Sequence, residues 1–337
     1  MNKAVIGIDK SGSFRVYFAI SAGLVEDARN IHKTTPTATA ALGRVLTGAA
    51  LMGLMMKNPK DKLTVQFKGD GPAGEILATA DGTGKVKGYI SDPEADLPLR
   101  EDGKLDVGGI VGSGTLTVIK DQGLKEPYMG RIDLVSGEIA EDLAAYFFIS
   151  EQQSTSVALG VKVNVDGSVM AAGGMIIQML PDAKPGSVDA LEALIADMPP
   201  LTEMIERGLS EAGNVKGSDT DFFGNTKGEE KTAAAVFLKI FEKMPKEYMV
   251  DILEFKEIGW ECGCSVERLE QVLLTIGETE LRKLAEEDGK AELTCQFCTK
   301  KYFFDKDHLE MLIRVAAKSK EILENRRRRE KTDDTGV

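Results

Sequence analysis

Four cysteines, and no others, occur in the 337 residues, and they are grouped: Cys262 and Cys264 in "WECGCSVERLEQ", Cys295 and Cys298 in "ELTCQFCTKK". The pattern is C-x-C, then, after the long interval from Cys264 to Cys295, C-x-x-C. Two close pairs of thiolates are a donor set that tetrahedral Zn²⁺ takes in its structural sites. The C-x-x-C lies on a short hairpin, "AELTCQFCTKKYFFD", whose turn would aim two sulfurs at one ion. The C-x-C supplies the second pair, returned to the first by the intervening helices. One zinc per chain is expected on Cys262, Cys264, Cys295 and Cys298.

The same residues admit other readings. A structural zinc ribbon would use the four cysteines with no further chemistry. A thioredoxin-like site needs its C-x-x-C to open a helix after a strand, whereas "KKYFFD" after Cys298 reads as strand. Lys300 and Lys301 follow Cys298 closely, and cations favour thiolate over thiol. A C-x-C disulfide is a tight ring and therefore easily reduced. The chemistry suits a switch, zinc-bound when reduced and disulfide-bonded when oxidised; spacing alone leaves that open. His308 in "KDHLEML" and His32 beside an N-terminal helix are read as helix-face residues, not ligands.

Other motifs carry less. "GDGPAG", Gly69 to Gly74, has the form G-x-G-x-x-G, but "EILATADG" after it alternates like a strand. A dinucleotide site needs a helix there, so a hairpin loop and no nucleotide are expected. No G-x-x-x-x-G-K-[ST] occurs, and with two widely separated histidines a Ser-His-Asp triad is not expected. "RRRR", Arg326 to Arg329, ends a helix, where cations suit the dipole, and is read as a solvated tail.

The elements that must position the cysteines divide by texture. The first part reads as sheet: "KAVIGID" and "FRVYFAI" alternate around the turn "KSGS", and five more strand-like runs follow between Gly and Asp turns. "TATAALGRVLTGAALMGLMMK" reads as a buried helix. With the helix "IAEDLAAYFFISEQ" and two further strands this makes an α+β core domain over residues 1–181. Residues 182–255 read as a helical linker of marginal stability, broken at Pro199-Pro200 and by a polar insertion near 213–231. "TAAAVFLKIFEKMPKEYMVDILEF" is expected to be amphipathic helix. Residues 256–318 form a small four-cysteine zinc-binding domain, and 319–337 a charged tail.

Composition sets the class: 42% apolar, 28% charged, net charge −12. Such an acidic surface repels a phosphate backbone, so no nucleic-acid partner is expected. The N-terminus does not read as a signal peptide. The most apolar stretch, "ALGRVLTGAALMGLMMK", is read as too short to cross a bilayer and contains Arg44, so no membrane span is expected. The expectation is a cytoplasmic protein, where clustered cysteines read as a metal or redox site and not as a disulfide framework.

These residues resemble one family closely, the redox-regulated 33-kilodalton heat-shock proteins, or 33 kDa chaperonins. "CGC" and "CQFC" match its cysteine pattern. "LTVQFKGDGPAG", "GKVKGYISDP", "EPYMGRIDLVSGEIAEDLAAYFFISEQ", "VALGVKVNVDGSVMAAGGMIIQMLP" and "DGKAELTCQFC" are similar to family segments across nearly the whole chain. "KGSDTDFFGNTKGEEKTAA" enlarges the linker, and the tail beyond about Lys318 is longer than usual. The resemblance implies a holdase, not an enzyme, that binds unfolding proteins without ATP. It implies an inactive reduced form with zinc on four thiolates. Oxidation would then release the zinc, join Cys262 to Cys264 and Cys295 to Cys298, and give an active homodimer. The alternatives are a constitutive zinc-ribbon interaction protein and a thiol oxidoreductase.

Overall fold

In the computed structural model, residues 1–214 and 228–318 are described. Most of the expected insertion, the tail 319–337 and Arg326 to Arg329 lie outside them. The chain forms two compact units, Met1–Glu261 and a second beginning at Cys262, each built of sheet and helix as the α+β expectation requires.

The first unit opens with β1 (Lys3–Asp9) and β2 (Phe14–Ile20), paired antiparallel. Their turn is held by Asp9, whose carboxylate accepts from the amides of Ser11 and Phe14. Helix α1 (Ala22–His32) leads to α2 (Pro36–Leu54). The Thr35 hydroxyl accepts from the Ala38 amide and Pro36 sits in the first turn, so α2 starts earlier than the apolar pattern alone indicates. At 19 residues α2 is long and apolar enough to cross a bilayer, which corrects the shorter length read from the sequence; 94% of its apolar window is buried inside the fold, as in a core helix. Its one charge, Arg44, donates to the Glu138 carboxylate at 2.5 Å.

Strands β3 (Lys62–Gly69), β4 (Glu75–Asp81) and β5 (Lys85–Ile90) precede a short helix, α3 (Val107–Val111). The Gly69 to Gly74 loop joins β3 directly to β4, and no helix opens there. Then come β6 (Gly114–Asp121), β7 (Tyr128–Asp133), α4 (Ala140–Glu151), β8 (Thr155–Val163) and β9 (Val169–Met179). The linker segment supplies α5 (Pro185–Ala196), α6 (Leu201–Asn214) and α7 (Glu229–Ile240), then β10 (Val250–Glu257) and β11 (Gly259–Trp260). Two sheets result, ordered β10, β1, β2, β9, β8 and β11, β5, β4, β3, β6, β7. Residues of α2 share one apolar core with both: Ala4, Tyr17 and Ile176 from the first sheet, Leu63, Val65 and Ala78 from the second.

Alternation makes the five-stranded sheet apolar on both faces. Its other face carries Val5, Phe14, Val16, Phe18, Ile20 and Met175, and these pack on Leu191 of α5, Ile205 of α6 and Phe237 of α7. Phe241, Met244 and Tyr248 after α7 complete that second core. The break at Pro199-Pro200 separates α5 from α6, as expected. The helix expected to continue through "VDILEF" does not: the chain turns at Pro245, and Val250–Glu257 pairs antiparallel with β1, from Lys3↔Glu257 to Asp9↔Val250. Pairing with a strand from the opposite end of this unit's sequence overrides local helical character.

The second unit contains α8 (Val266–Thr275), capped by the Ser265 hydroxyl accepting from the Arg268 amide, and α9 (Glu278–Lys283). One π-helical turn follows over Leu284–Asp288, ended by Gly289 in the left-handed region (φ 63°). The hairpin β12 (Lys290–Thr294) and β13 (Lys301–Asp305) leads into a helix over 306–318, α10. The core is small: Leu273, Leu281, Tyr302, Phe304, Leu309, Leu312 and Ile313, with Cys295 among them.

Candidate metal and redox centre

Each cysteine pair is presented by a different local device. Cys295 and Cys298 occupy the turn between β12 and β13, where the Cys295 amide donates to the Lys300 carbonyl and the Thr299 amide to the Cys295 carbonyl. This closes a knuckle with Thr299 at φ 58°, and it holds both of its thiols within 4.8 Å of each other. Cys262 and Cys264 lie in the extended segment before α8, where Arg268 donates to the Gly263 carbonyl at 2.9 Å.

The fold brings the four together. All four Sγ atoms lie within 4.8 Å of one another, the one such group found among the described residues. Cys262 and Cys295 are 3.7 Å apart, Cys264 and Cys298 3.3 Å. A tetrahedron with Zn–S bonds of about 2.3 Å has S···S edges of about 3.8 Å, whereas a disulfide needs about 2.05 Å. All four cysteines are free. The donor set and its spacing therefore fit a four-coordinate, thiophilic metal ion.

The thiols differ. Burial pushes Cys298 up to about 12 and raises Cys262 also. Burial acts in the same direction on Cys264, but the Tyr302 hydroxyl and the neighbouring thiols, donating to its sulfur, outweigh it and bring it down to about 7. Tyr302 Oη lies 3.1 Å from Cys264 Sγ, and its own proton is held more tightly in consequence. The sequence reading missed Tyr302; its signal was its place in β13 on the same hairpin as Cys298. The lysines are used otherwise. Lys300 Nζ stands over the Tyr302 ring, 5.0 Å from its centroid, and Lys301 pairs with Glu292 at 2.7 Å.

Neither histidine joins the cluster. His308 Nε2 pairs with Glu270 at 2.6 Å and its ring packs edge-on to Phe304. His32 bonds the Gly88 carbonyl and meets the Trp260 ring edge-on, in the first unit. Removing the hydroxyl that steadies Cys264 should weaken metal binding about 10–100-fold, as loss of an outer hydrogen bond to a ligand does. Tyr302→Phe should give that loss in a competition titration with a chromophoric chelator, and His308→Ala should leave the affinity unchanged.

A family profile described as "Hsp33 protein" matches residues 2–305. The chain belongs to the Hsp33 family. Curated relatives carry the name 33 kDa chaperonin. That of Alkaliphilus oremlandii is 43% identical over 312 residues, covering 92% of this chain and 96% of its own. That of Clostridioides difficile is 44% identical over 300 residues, covering 89% and 94%. The crystal structure of the 33 kDa chaperonin (heat shock protein 33 homolog) from Thermotoga maritima superposes with a TM-score of 0.77 at 32% identity, covering 94% of this chain and 99% of that one. Membership in the Hsp33 family gives the chain a chaperone function, and the four-cysteine cluster suits the zinc and redox character expected of it.

Proposed function

We propose that this chaperone is an ATP-independent holdase, not an enzyme, held inactive while its cysteines are reduced and zinc-bound and activated by their oxidation. The observation that carries the reading is the cover on the five-stranded sheet. An apolar face of Phe14, Phe18, Ile20 and Met175 is hidden by α5, α6 and α7, the segment that leads through β10 and β11 into the cysteine unit. Residues 1–181 act as the core domain, 182–255 as the releasable linker and 256–318 as the sensor.

Zinc on Cys262, Cys264, Cys295 and Cys298 would supply the folding energy that the second unit's small core lacks, about 10–16 kcal/mol for such sites. Peroxide or hypochlorous acid takes two electrons from each thiol pair and forms one S–S bond, the oxidant leaving as water or chloride. Cys264, whose sulfur the Tyr302 hydroxyl helps to keep as thiolate, is the expected first point of attack. The pairs joined are Cys262 to Cys264 and Cys295 to Cys298, neighbours in sequence. Paired sulfurs no longer offer four thiolates, so the second unit unfolds, the chain leading from it back through β11 and β10 loses its anchored end, and α5–α7 leave the sheet. The surfaces uncovered on sheet and linker are rich in methionine, a side chain that adapts to varied partners. Clients are unfolding proteins in the cytoplasm; nucleic acid, membrane and nucleotide take no part, and the oxidised form is a homodimer.

The test is zinc release recorded beside suppression of client aggregation, reduced against peroxide-treated. Both should rise together, with peptide mapping giving the two near-neighbour disulfides. Metal retained through mild oxidation would indicate an inert ribbon, and turnover of a disulfide substrate an oxidoreductase. A dominant Cys264 to Cys295 bridge would refute the pairing.

A further inference from the structure

We propose that Met198 and Met204 form a second oxidant-sensitive site, whose conversion to sulfoxides by hypohalous acid loosens α5 and α6 from the five-stranded sheet without any change at the cysteines. Methionine is a flexible apolar residue that oxidation turns polar, so its placement decides what the modification does. Of the partly buried methionines packed on the second core, Met1 precedes β1, Met179 ends β9, and Met198 and Met204 belong to the helical cover. These two flank the break at Pro199-Pro200, Met198 two residues after α5 and Met204 early in α6. Each is half-buried, so each side chain is open to a small oxidant and is also part of the packing.

The packing around them leaves an added oxygen no place. Leu201, Met204, Ile205 and Gly208 fall on one face of α6, the face turned to the sheet and to α7. A Cβ on Gly173 of β9 would lie 2.4 Å from Ile205 Cδ1, and one on Gly208 2.2 Å from Val236 Cγ2 of α7. A sulfoxide oxygen at this face must turn out to water, because burying it unpaired costs free energy. Met198 is tied on its other side: its amide donates to the Ile195 carbonyl, and its neighbour Asp197 pairs at 2.6 Å with Lys243, beyond α7. Movement at Met198 therefore pulls on the contact between α5 and the end of α7. Other methionines supply the contrast. Met129 and Met311 are exposed and outside the core clusters, whereas Met175 and Met244, 3% and 5% exposed, are shut away from solvent. In the reaction each thioether sulfur gives two electrons to the chlorine of hypochlorous acid. An S–O bond forms with oxygen taken from water, the hydroxyl of the acid leaves as water, and chloride and one proton are released.

The proposal rests on the reading that α5–α7 cover the sheet, and it adds a trigger that zinc and thiols do not control. The experiment treats the full chain with hypochlorous acid, then restores the cysteines with a thiol reductant and zinc, which leaves methionine sulfoxide in place. Amides of α5 and α6 should then exchange about tenfold faster or more than in the untreated chain, the effect of one polar group left without a partner. Client binding should persist in reducing buffer. The chain carrying Met198→Leu and Met204→Leu, swaps close in volume, should keep its protection through the same treatment. Methionine sulfoxide reductases, which need no substitution and act on both epimers as a pair, should return the treated parent chain to full protection. Peptide mass spectrometry that found Met198 and Met204 unoxidised where Met129 and Met311 are fully oxidised would overturn the proposal. So would sulfoxides at both positions with α5 and α6 still protected, or a leucine chain that loosens as much as the parent. Loosened helices without client binding would leave the methionine site standing and count instead against the covering role given to the linker.

Discussion

Cys298→Ser in the reduced chain should lose zinc and bind clients without any oxidant. The second unit has a core of about ten buried residues, one of them Cys295, and so few side chains rarely stabilise a unit of this size alone. A metal contribution of about 10–16 kcal/mol is comparable to or exceeds the usual stability of a whole small domain, so losing one ligand should unfold residues 262–318 while the two sheets of the first unit remain. Chelation of the unsubstituted protein should do the same. The checks are zinc content, far-ultraviolet circular dichroism and aggregation suppression on one sample. A Cys298→Ser protein that stays folded in the second unit and inactive would separate the cysteines from regulation.

The second large effect comes from the other end of the coupling. Phe237 is fully buried, its ring 6.0 Å from Phe18 on the sheet and 5.3 Å from Phe241. It fits because β1 has Gly7 beneath it: a Cβ there would lie 2.6 Å from Phe237 Cζ. Phe237→Ala should cost about 3–5 kcal/mol, as core phenylalanine truncations do. That loss falls on the docking of α7 and should give substantial client binding by the reduced, zinc-loaded protein. Gly160→Val tests the docking of α6 from the sheet side, since the three atoms nearest a Cβ on Gly160 all belong to Thr202 of α6, the first at 2.6 Å. Val188→Ala, at an exposed position of α5, is the control and should change nothing. Aggregation suppression in reducing buffer reads all three.

What the sequence made legible follows from the range of each interaction. The cysteine cluster was visible because its ligands sit in two tight local pairs, and the intervening helices had only to close one loop. The β1–β2 hairpin was visible because alternation and turn both lie in one short stretch, Lys3 to Ile20. β10 was misread as helix because its strand state depends on β1, at the far end of the chain. The lysines after Cys298 were expected to act on the thiolates, yet Lys301 pairs with Glu292 across the hairpin while Tyr302 reaches Cys264. Which of several neighbouring side chains points at a sulfur depends on strand register, which composition does not encode.

The most direct measurement is hydrogen exchange by mass spectrometry on the full chain, reduced with zinc against oxidised. The account predicts that peptides across α5, α6 and α7, roughly residues 185–240, lose protection together with 262–318 on oxidation, while β2, β9 and α2 keep theirs. An oxidised chain that suppresses aggregation with α5–α7 still fully protected would contradict it, and client binding would then have to be placed on the unfolded cysteine unit or on a dimer surface.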